Sequence, residues 1–145
     1  MFERLSRSRS TVGALCSAGL REGRLEFPYC EACGRIQYPP SDICRMCLSD
    51  DIKFRQYSQR AQVIASVLVH RSLADDFERG GPWAIASMKM EAGPIAFAHL
   101  LEVLPGGTKV TLVALRDRLG DGVLGALTDG QDLQELQARF WMSNA

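Results

Sequence analysis

The chain has 145 residues, of which 46% are hydrophobic and 23% charged, the balance of a folded protein with one ordinary domain or two very small ones. Seventeen basic side chains meet seventeen acidic ones, so the formal charge is zero; this argues against a dedicated nucleic-acid binder and excludes a highly charged tail as the main content. The length excludes a full (β/α)₈ barrel, which needs roughly 250 residues.

In chain order, residues 1–10 come first. Arg4, Arg7 and Arg9 alternate with serines and no apolar run follows them, which predicts a mobile arm and no secretory signal. The longest useful apolar run, Val63 to Val69, falls far short of the ~20 residues of a membrane-spanning helix. A cytoplasmic protein without a membrane segment is the expectation, and its cysteines are read as reduced. Residues 11–22 predict a short helix with Val12, Leu15, Cys16 and Leu20 on one face, Ser10 or Thr11 as its cap and Gly23 as its stop. Gly13 and Gly19 weaken it by roughly 1 kcal/mol each relative to Ala. Its apolar face packs either on the chain's own core or on a partner.

Residues 25–57 predict a ribbon. Cys30-Glu-Ala-Cys33-Gly34 and Cys44-Arg-Met-Cys47 are two Cys-x₂-Cys pairs with ten residues between them. Two residues between cysteines let one tight turn aim two thiolates at one point. Two such turns supply four sulfurs at tetrahedral corners, the set that Zn²⁺ accepts in closed structural sites. Gly34 suits the left-handed backbone of the first turn; Leu48 and Ser49 stand at the second. Disulfides and a redox pair explain this pattern less well, since a reducing compartment disfavours the first and one Cys-x₂-Cys suffices for the second. A four-sulfur site has no open position and cannot activate water, so its role is folding. Strand-like segments Leu25–Tyr29, Arg35–Tyr38 and Ile52–Tyr57 frame the knuckles. The fifth cysteine, Cys16, reads as a small hydrophobe on the helix face, because nothing in the sequence ties His70 or His99 to it.

From Ser58 the pattern changes to short apolar runs divided by turns. Gln62–His70, Trp83–Met90, Ile95–Val103, Lys109–Leu115 and Val123–Leu127 predict five strands, with a polar loop over 72–82 and glycine turns later. Five strands at this spacing suggest a small OB-fold barrel. Asp132–Met142 predicts a last helix with Leu133, Leu136, Phe140 and Trp141 in one stripe, capped by Thr128, Asp129 or Asp132. The expected class is thus mainly β: an N-terminal arm and helix (1–24), a rubredoxin-like zinc ribbon (25–57), a five-stranded OB-fold (58–127) and a C-terminal helix (128–145). Residues 1–60 carry ten basic and seven acidic side chains, and the remainder the reverse excess.

The order of motifs carries a resemblance. The chain reads Ala18-Gly-Leu20-Arg-Glu-Gly-Arg-Leu25, then Cys30-x-x-Cys33-Gly34-Arg-x-Gln-Tyr38-Pro-Pro40, then Cys44-x-x-Cys47, then a strand ending Val69-His70-Arg71. This is similar to the family of small zinc-ribbon/OB-fold proteins associated with acyl-CoA enzymes, long described as a domain of unknown function. The resemblance spans roughly residues 10–127 and is most specific over 18–47. It departs from the family at Ser58-Gln-Arg-Ala61, where a glycine-rich turn is usual, and in the terminal helix.

The resemblance implies a non-catalytic accessory subunit of a thiolase-type complex, such as the small subunit of a benzoylsuccinyl-CoA thiolase. It would hold a structural Zn²⁺ and help to cover or shape an acyl-CoA site, with a thiolase-like catalytic subunit as partner and coenzyme A thioester as a shared ligand. An enoyl-CoA hydratase or a retro-aldolase is the alternative partner. A free-standing single-strand nucleic-acid binder is a further, weaker reading, since the barrel half is net acidic and poor in aromatics. For the phosphates of coenzyme A, Arg35 and Arg71 are the candidate contacts, and His70 is a candidate polar contact at the barrel mouth.

Overall fold

The computed structural model describes residues 9–70, 82–117 and 119–141. In chain order they form α1 (Thr11–Arg21), β1 (Glu26–Cys30), β2 (Ile52–Gln56), β3 (Arg60–Val69), β4 (Trp83–Met90), β5 (Ile95–Leu100), β6 (Lys109–Arg116), β7 (Gly122–Leu127) and α2 (Leu133–Trp141). Strands β1 and β2 pair antiparallel as the ribbon sheet, and β3-β4-β5-β7-β6 close a barrel. This is the mainly β architecture that the sequence predicts, helix, cysteine ribbon, five-strand barrel and helix. The expected arm lies outside the described residues up to residue 8, as does the expected loop up to residue 81.

Alternation builds the barrel. Ala84, Ala86, Met88 and Met90 of β4 point inward, with Ala96, Ala98 and Leu100 of β5, Leu112 of β6 and Leu124 and Ala126 of β7. Large and small side chains meet across strands: Val63 pairs with Met88, which pairs with Ala96. Five strands enclose little space, so alanines make room for the methionines. Phe27 of β1 is buried in this same core and meets the Tyr38 ring edge to face at 5.4 Å. Ribbon and barrel therefore share one hydrophobic core. The predicted strand over Arg35–Tyr38 is reduced to a single bridge, Tyr29 to Ile36. Pro39 and Pro40 follow at once and offer no N–H to extend a ladder.

The barrel seam is thin, for β5 and β7 pair in parallel only at His99 and Gly125. Both helices lie against β7 and its neighbours. Helix α1 starts where predicted: the Ser10 hydroxyl accepts from the Gly13 N–H at 3.1 Å, and Asp42 of the ribbon accepts from the Val12 N–H at 2.8 Å. It ends at Gly23, which takes a left-handed φ of 83°. Val12, Cys16, Gly19 and Leu20 are buried, but Leu15 is 55% exposed. At 100° per residue, Leu15 stands about 80° from the centre of that stripe.

Gly122 of β7 receives α1 directly: a Cβ there would lie 2.2 Å from the Ser17 carbonyl oxygen and 2.4 Å from the Arg21 nitrogen. Arg116 Nε donates to the Arg21 carbonyl at 2.7 Å, a cation at the helix C-terminus. Helix α2 is capped by Asp132, whose carboxylate accepts from the Gln134 N–H at 3.1 Å. Its Leu136 is buried with Trp83, Leu115 and Leu127 in a second cluster. Leu115 and Leu127 are outward residues of β6 and β7, so α2 covers the barrel's flank and not an open end. Leu133 is exposed, and the side chains of Phe140 and Trp141 lie outside those described. No helix among the described residues is long and apolar enough to cross a membrane.

Candidate metal centre and barrel surface

The two knuckles are built alike. Gly34 N–H donates to the Cys30 carbonyl at 2.7 Å, and Leu48 N–H to the Cys44 carbonyl at 3.0 Å. Cys30 N–H donates to the Arg35 carbonyl and Cys44 N–H to the Ser49 carbonyl, both at 2.8 Å. Each turn passes through a left-handed residue, Gly34 at φ 77° and Leu48 at φ 63°. The sulfurs of Cys30 and Cys47 stand 3.5 Å apart and those of Cys33 and Cys44 3.6 Å apart. All four lie within 4.8 Å of one another. A tetrahedral site with metal–sulfur bonds of about 2.3 Å has sulfur–sulfur edges of about 3.8 Å, so the cluster fits one metal ion. A disulfide needs about 2.05 Å, and all five cysteines are free thiols.

Electrostatics favour a cation here. The N–H groups of Cys47 and Met46 point at the Cys44 sulfur and pull its thiol down to about 6, against burial. Cys47 moves the other way, to about 12: the Ser49 N–H favours its thiolate, but the crowding Cys30 sulfur and burial outweigh it. Four thiols this close cannot all ionise unless a positive ion sits among them. Gln37 completes the site; the sequence showed it as part of the motif carrying the resemblance and gave it no role. It is buried, donates Nε2 to the Cys44 sulfur at 3.3 Å and to the Arg35 carbonyl at 3.2 Å, and accepts from the Arg45 N–H at 3.2 Å. One amide thus ties both knuckles together. Its sequence signal is its place in the Gly34-Arg-x-Gln-Tyr38 stretch between the two cysteine pairs.

Of the other candidates, Arg35 is exposed beside the first knuckle and His70 is exposed at the end of β3. Arg71 lies outside the described residues. Cys16 is buried in α1, and burial pushes its thiol up to about 11 against the pull of Arg9. It borders a cavity of about 420 Å³ between α1, the Tyr38–Pro40 turn and strands β5 and β7, with Tyr38, Phe97 and His99 in the wall. Burial raises the Tyr38 phenol to about 12, with the Cys16 charge adding to it. Burial lowers His99, against the Asp117 charge. At neutral pH these three groups are uncharged, so the cavity offers no thiolate nucleophile.

Among the described residues, the outer barrel face over β3, β4 and β5 exposes several large apolar side chains. Val67 pairs with Ile85 and Ile85 with His99; Ala65 pairs with Ser87 and Ser87 with Phe97. Phe97 is 71% exposed, Val67 59% and Ile95 51%. The sequence instead offered the apolar face of the helix over 11–22 as a surface for a partner. Helix α1 spends Val12, Cys16 and Leu20 on the barrel and α2 spends Leu136, while Leu15 and Leu133 stay exposed. On the ribbon, Ile43, Met46 and Leu48 are also exposed.

Comparison with known proteins follows this geometry. Residues 17–53 match the family described as ChsH2, rubredoxin-like zinc ribbon domain. The chain is 33% identical over 72 residues to a DUF35 domain-containing scaffold protein of Pyrococcus furiosus, covering 50% of this chain and 52% of that protein. The chain therefore spans about half the length of that curated relative. In structure it is similar to a chain described as Ltp2-ChsH2(DUF35) aldolase, with a TM-score of 0.69 and 21% identity over 82% of this chain and 95% of the other, a likeness of fold. The chain thus carries, over residues 17–53, a rubredoxin-like ribbon of the ChsH2 type, and the proteins it is similar to are DUF35 proteins.

Proposed function

We propose that this chain is a non-catalytic accessory subunit of a complex that acts on acyl-CoA thioesters, held in shape by a structural Zn²⁺ on Cys30, Cys33, Cys44 and Cys47. The observation that carries this reading is the group of exposed apolar side chains on β3–β5 among the described residues, with Phe97 at 71% exposure. Large apolar side chains left exposed together on one sheet face of a small chain support docking of a protein partner there. The chemistry of the cysteines agrees: four converge on one metal site and Cys16 is held as a thiol, so the chain supplies no acylatable thiolate of its own. The nucleophile and oxyanion site belong to the partner. Zinc supplies a closed cross-link between the knuckles, with no position open to substrate. Four thiolate ligands suit a reducing compartment such as the cytoplasm.

The partner is a thiolase-like enzyme or an aldolase, two classes that make or break a carbon–carbon bond beside a thioester. The scaffold protein and the aldolase complex among the similar proteins support an assembly role and favour the aldolase as second reading. Arg35, His70 and Arg71 are candidate contacts for coenzyme A or for the partner. The test is affinity capture of the tagged chain from its host, with mass spectrometry and metal analysis. The expected result is a stoichiometric thiolase-like or aldolase subunit with one zinc per copy, lost in a folded Phe97→Asp variant. Recovery of the chain alone, or capture unchanged by Phe97→Asp, would overturn the reading.

A further inference from the structure

On the flank next to the apolar surface, the strand register gathers three cations. Lys109 of β6 pairs with Gln62 of β3, Gln62 pairs with Lys89 of β4, and Lys89 pairs with Ile95 of β5. These four residues form one outward row across four strands. With strands about 4.8 Å apart, the two lysines flank Gln62 about 10 Å from each other. Arg60 stands two residues before Gln62 and so shares its face. A groove of about 550 Å³ opens here, with Arg60, Lys89, Lys109 and Thr111 in its wall and Glu91 and Asp129 with them. All six are exposed. No ion pair joins Arg60, Lys89 or Lys109 to a carboxylate among the described residues. Gln62, which also lines the groove, donates its Nε2 to the Gly107 carbonyl at 3.2 Å.

Three cations against two carboxylates leave this face with an excess positive charge, which attracts an anion. Arginine offers a planar fork to phosphate oxygens, and lysine a mobile point charge. Two carboxylates beside them favour hydroxyl and amine donors. We propose that this groove binds a nucleoside diphosphate ester, its diphosphate between Arg60, Lys89 and Lys109 and its sugar hydroxyls or base amine toward Glu91 or Asp129. Such a group is found in free nucleotides and in coenzyme A alike. The site does not depend on the accessory-subunit reading, because all its residues belong to this chain. Its border with the apolar surface at Ile95 places the ligand beside any subunit docked there.

The test is an amide NMR titration of the full-length, metal-loaded chain with ADP, coenzyme A, adenosine and a single-stranded oligonucleotide. ADP or coenzyme A is expected to shift residues 60–62, 89–91 and 109–111, and adenosine to leave them in place. A Lys89→Ala/Lys109→Ala variant is expected to weaken binding at least tenfold, and Lys53→Ala, an exposed cation on β2, to leave it unchanged. Coenzyme A binding tenfold tighter than ADP assigns the site to the coenzyme, and equal affinities assign it to free nucleotides; both support the proposal. No localised shift with either ligand, shifts indifferent to the double variant, or an oligonucleotide that binds tighter than both would overturn it. Capture of the partner by a double variant that no longer binds ADP would separate this site from the docking surface.

Discussion

At Leu48 the backbone turns left-handed under a side chain that is 76% exposed, while Gly34 makes the equivalent turn without a Cβ. A left-handed non-glycine residue costs roughly 1–2 kcal/mol, and this leucine recovers little of it by burial. The same knuckle shows how one buried amide acts on a metal site from outside it. Gln37 orients the Cys44 sulfur and holds the Arg45 backbone in place. Groups of this kind typically change metal affinity by about 10- to 100-fold. Gln37→Ala is therefore expected to lower the affinity for zinc by at least about tenfold, measured by competition with a chromophoric chelator. An unchanged affinity would mean that the four cysteines alone set the site. The cysteines were legible from spacing, because two residues between ligands is a local constraint. Gln37 was not, because its role comes from a turn that folds it under both knuckles.

At the scale of elements, one glycine in α1 and one in the strand it packs against have opposite meanings. A Cβ on Gly122 would meet the backbone of α1 at 2.2 Å and 2.4 Å. Backbone cannot move aside as a flexible side chain can, so the helix would have to lift off the barrel. Gly122→Ala is expected to destabilise the chain by about 1–3 kcal/mol in urea unfolding. Gly19, in α1 itself, has its nearest neighbour at 3.8 Å, an ordinary contact. Gly19→Ala is expected to stabilise by about 0.5–1 kcal/mol through helix propensity alone. Equal effects of one sign would show that α1 is not seated on Gly122. The sequence announced α1 through its cap, its period and Gly23. It marked Gly122 only as part of a turn, since the approach of a helix 100 residues away leaves no local pattern.

For the whole molecule, ribbon, barrel and α1 meet around the cavity that holds Tyr38, Cys16 and His99. Burial keeps His99 below its ordinary 6.5, with Asp117 opposing. The folded chain then binds this proton less readily than the unfolded chain. The histidine's contribution to stability is full above about pH 6.5 and is lost as pH falls from there through the folded value. The stability difference between the wild type and His99→Gln should shift against the wild type between pH 7.5 and pH 5.5, read by urea unfolding at each pH. A difference that stays flat over this range, or moves toward the wild type in acid, would contradict the burial of this group. The shared core adds a consequence of scale: Phe27 belongs to the ribbon sheet yet packs with barrel residues, so strain in either part reaches the other.

By itself the sequence determined most of the elements and the set of four cysteines that the fold brings together. Strand alternation, the helical stripe, the cap at Ser10 and the paired Cys-x₂-Cys turns are short-range patterns, each set by a few neighbouring residues. Tertiary structure decided which apolar residues stay outside, since Leu15 and Phe97 look like core in one dimension and lose that place only when a partner element fails to cover them. It also decided that Lys89, Gln62 and Lys109 share one row, because register joins residues tens of positions apart and one residue of slip would send them to opposite faces.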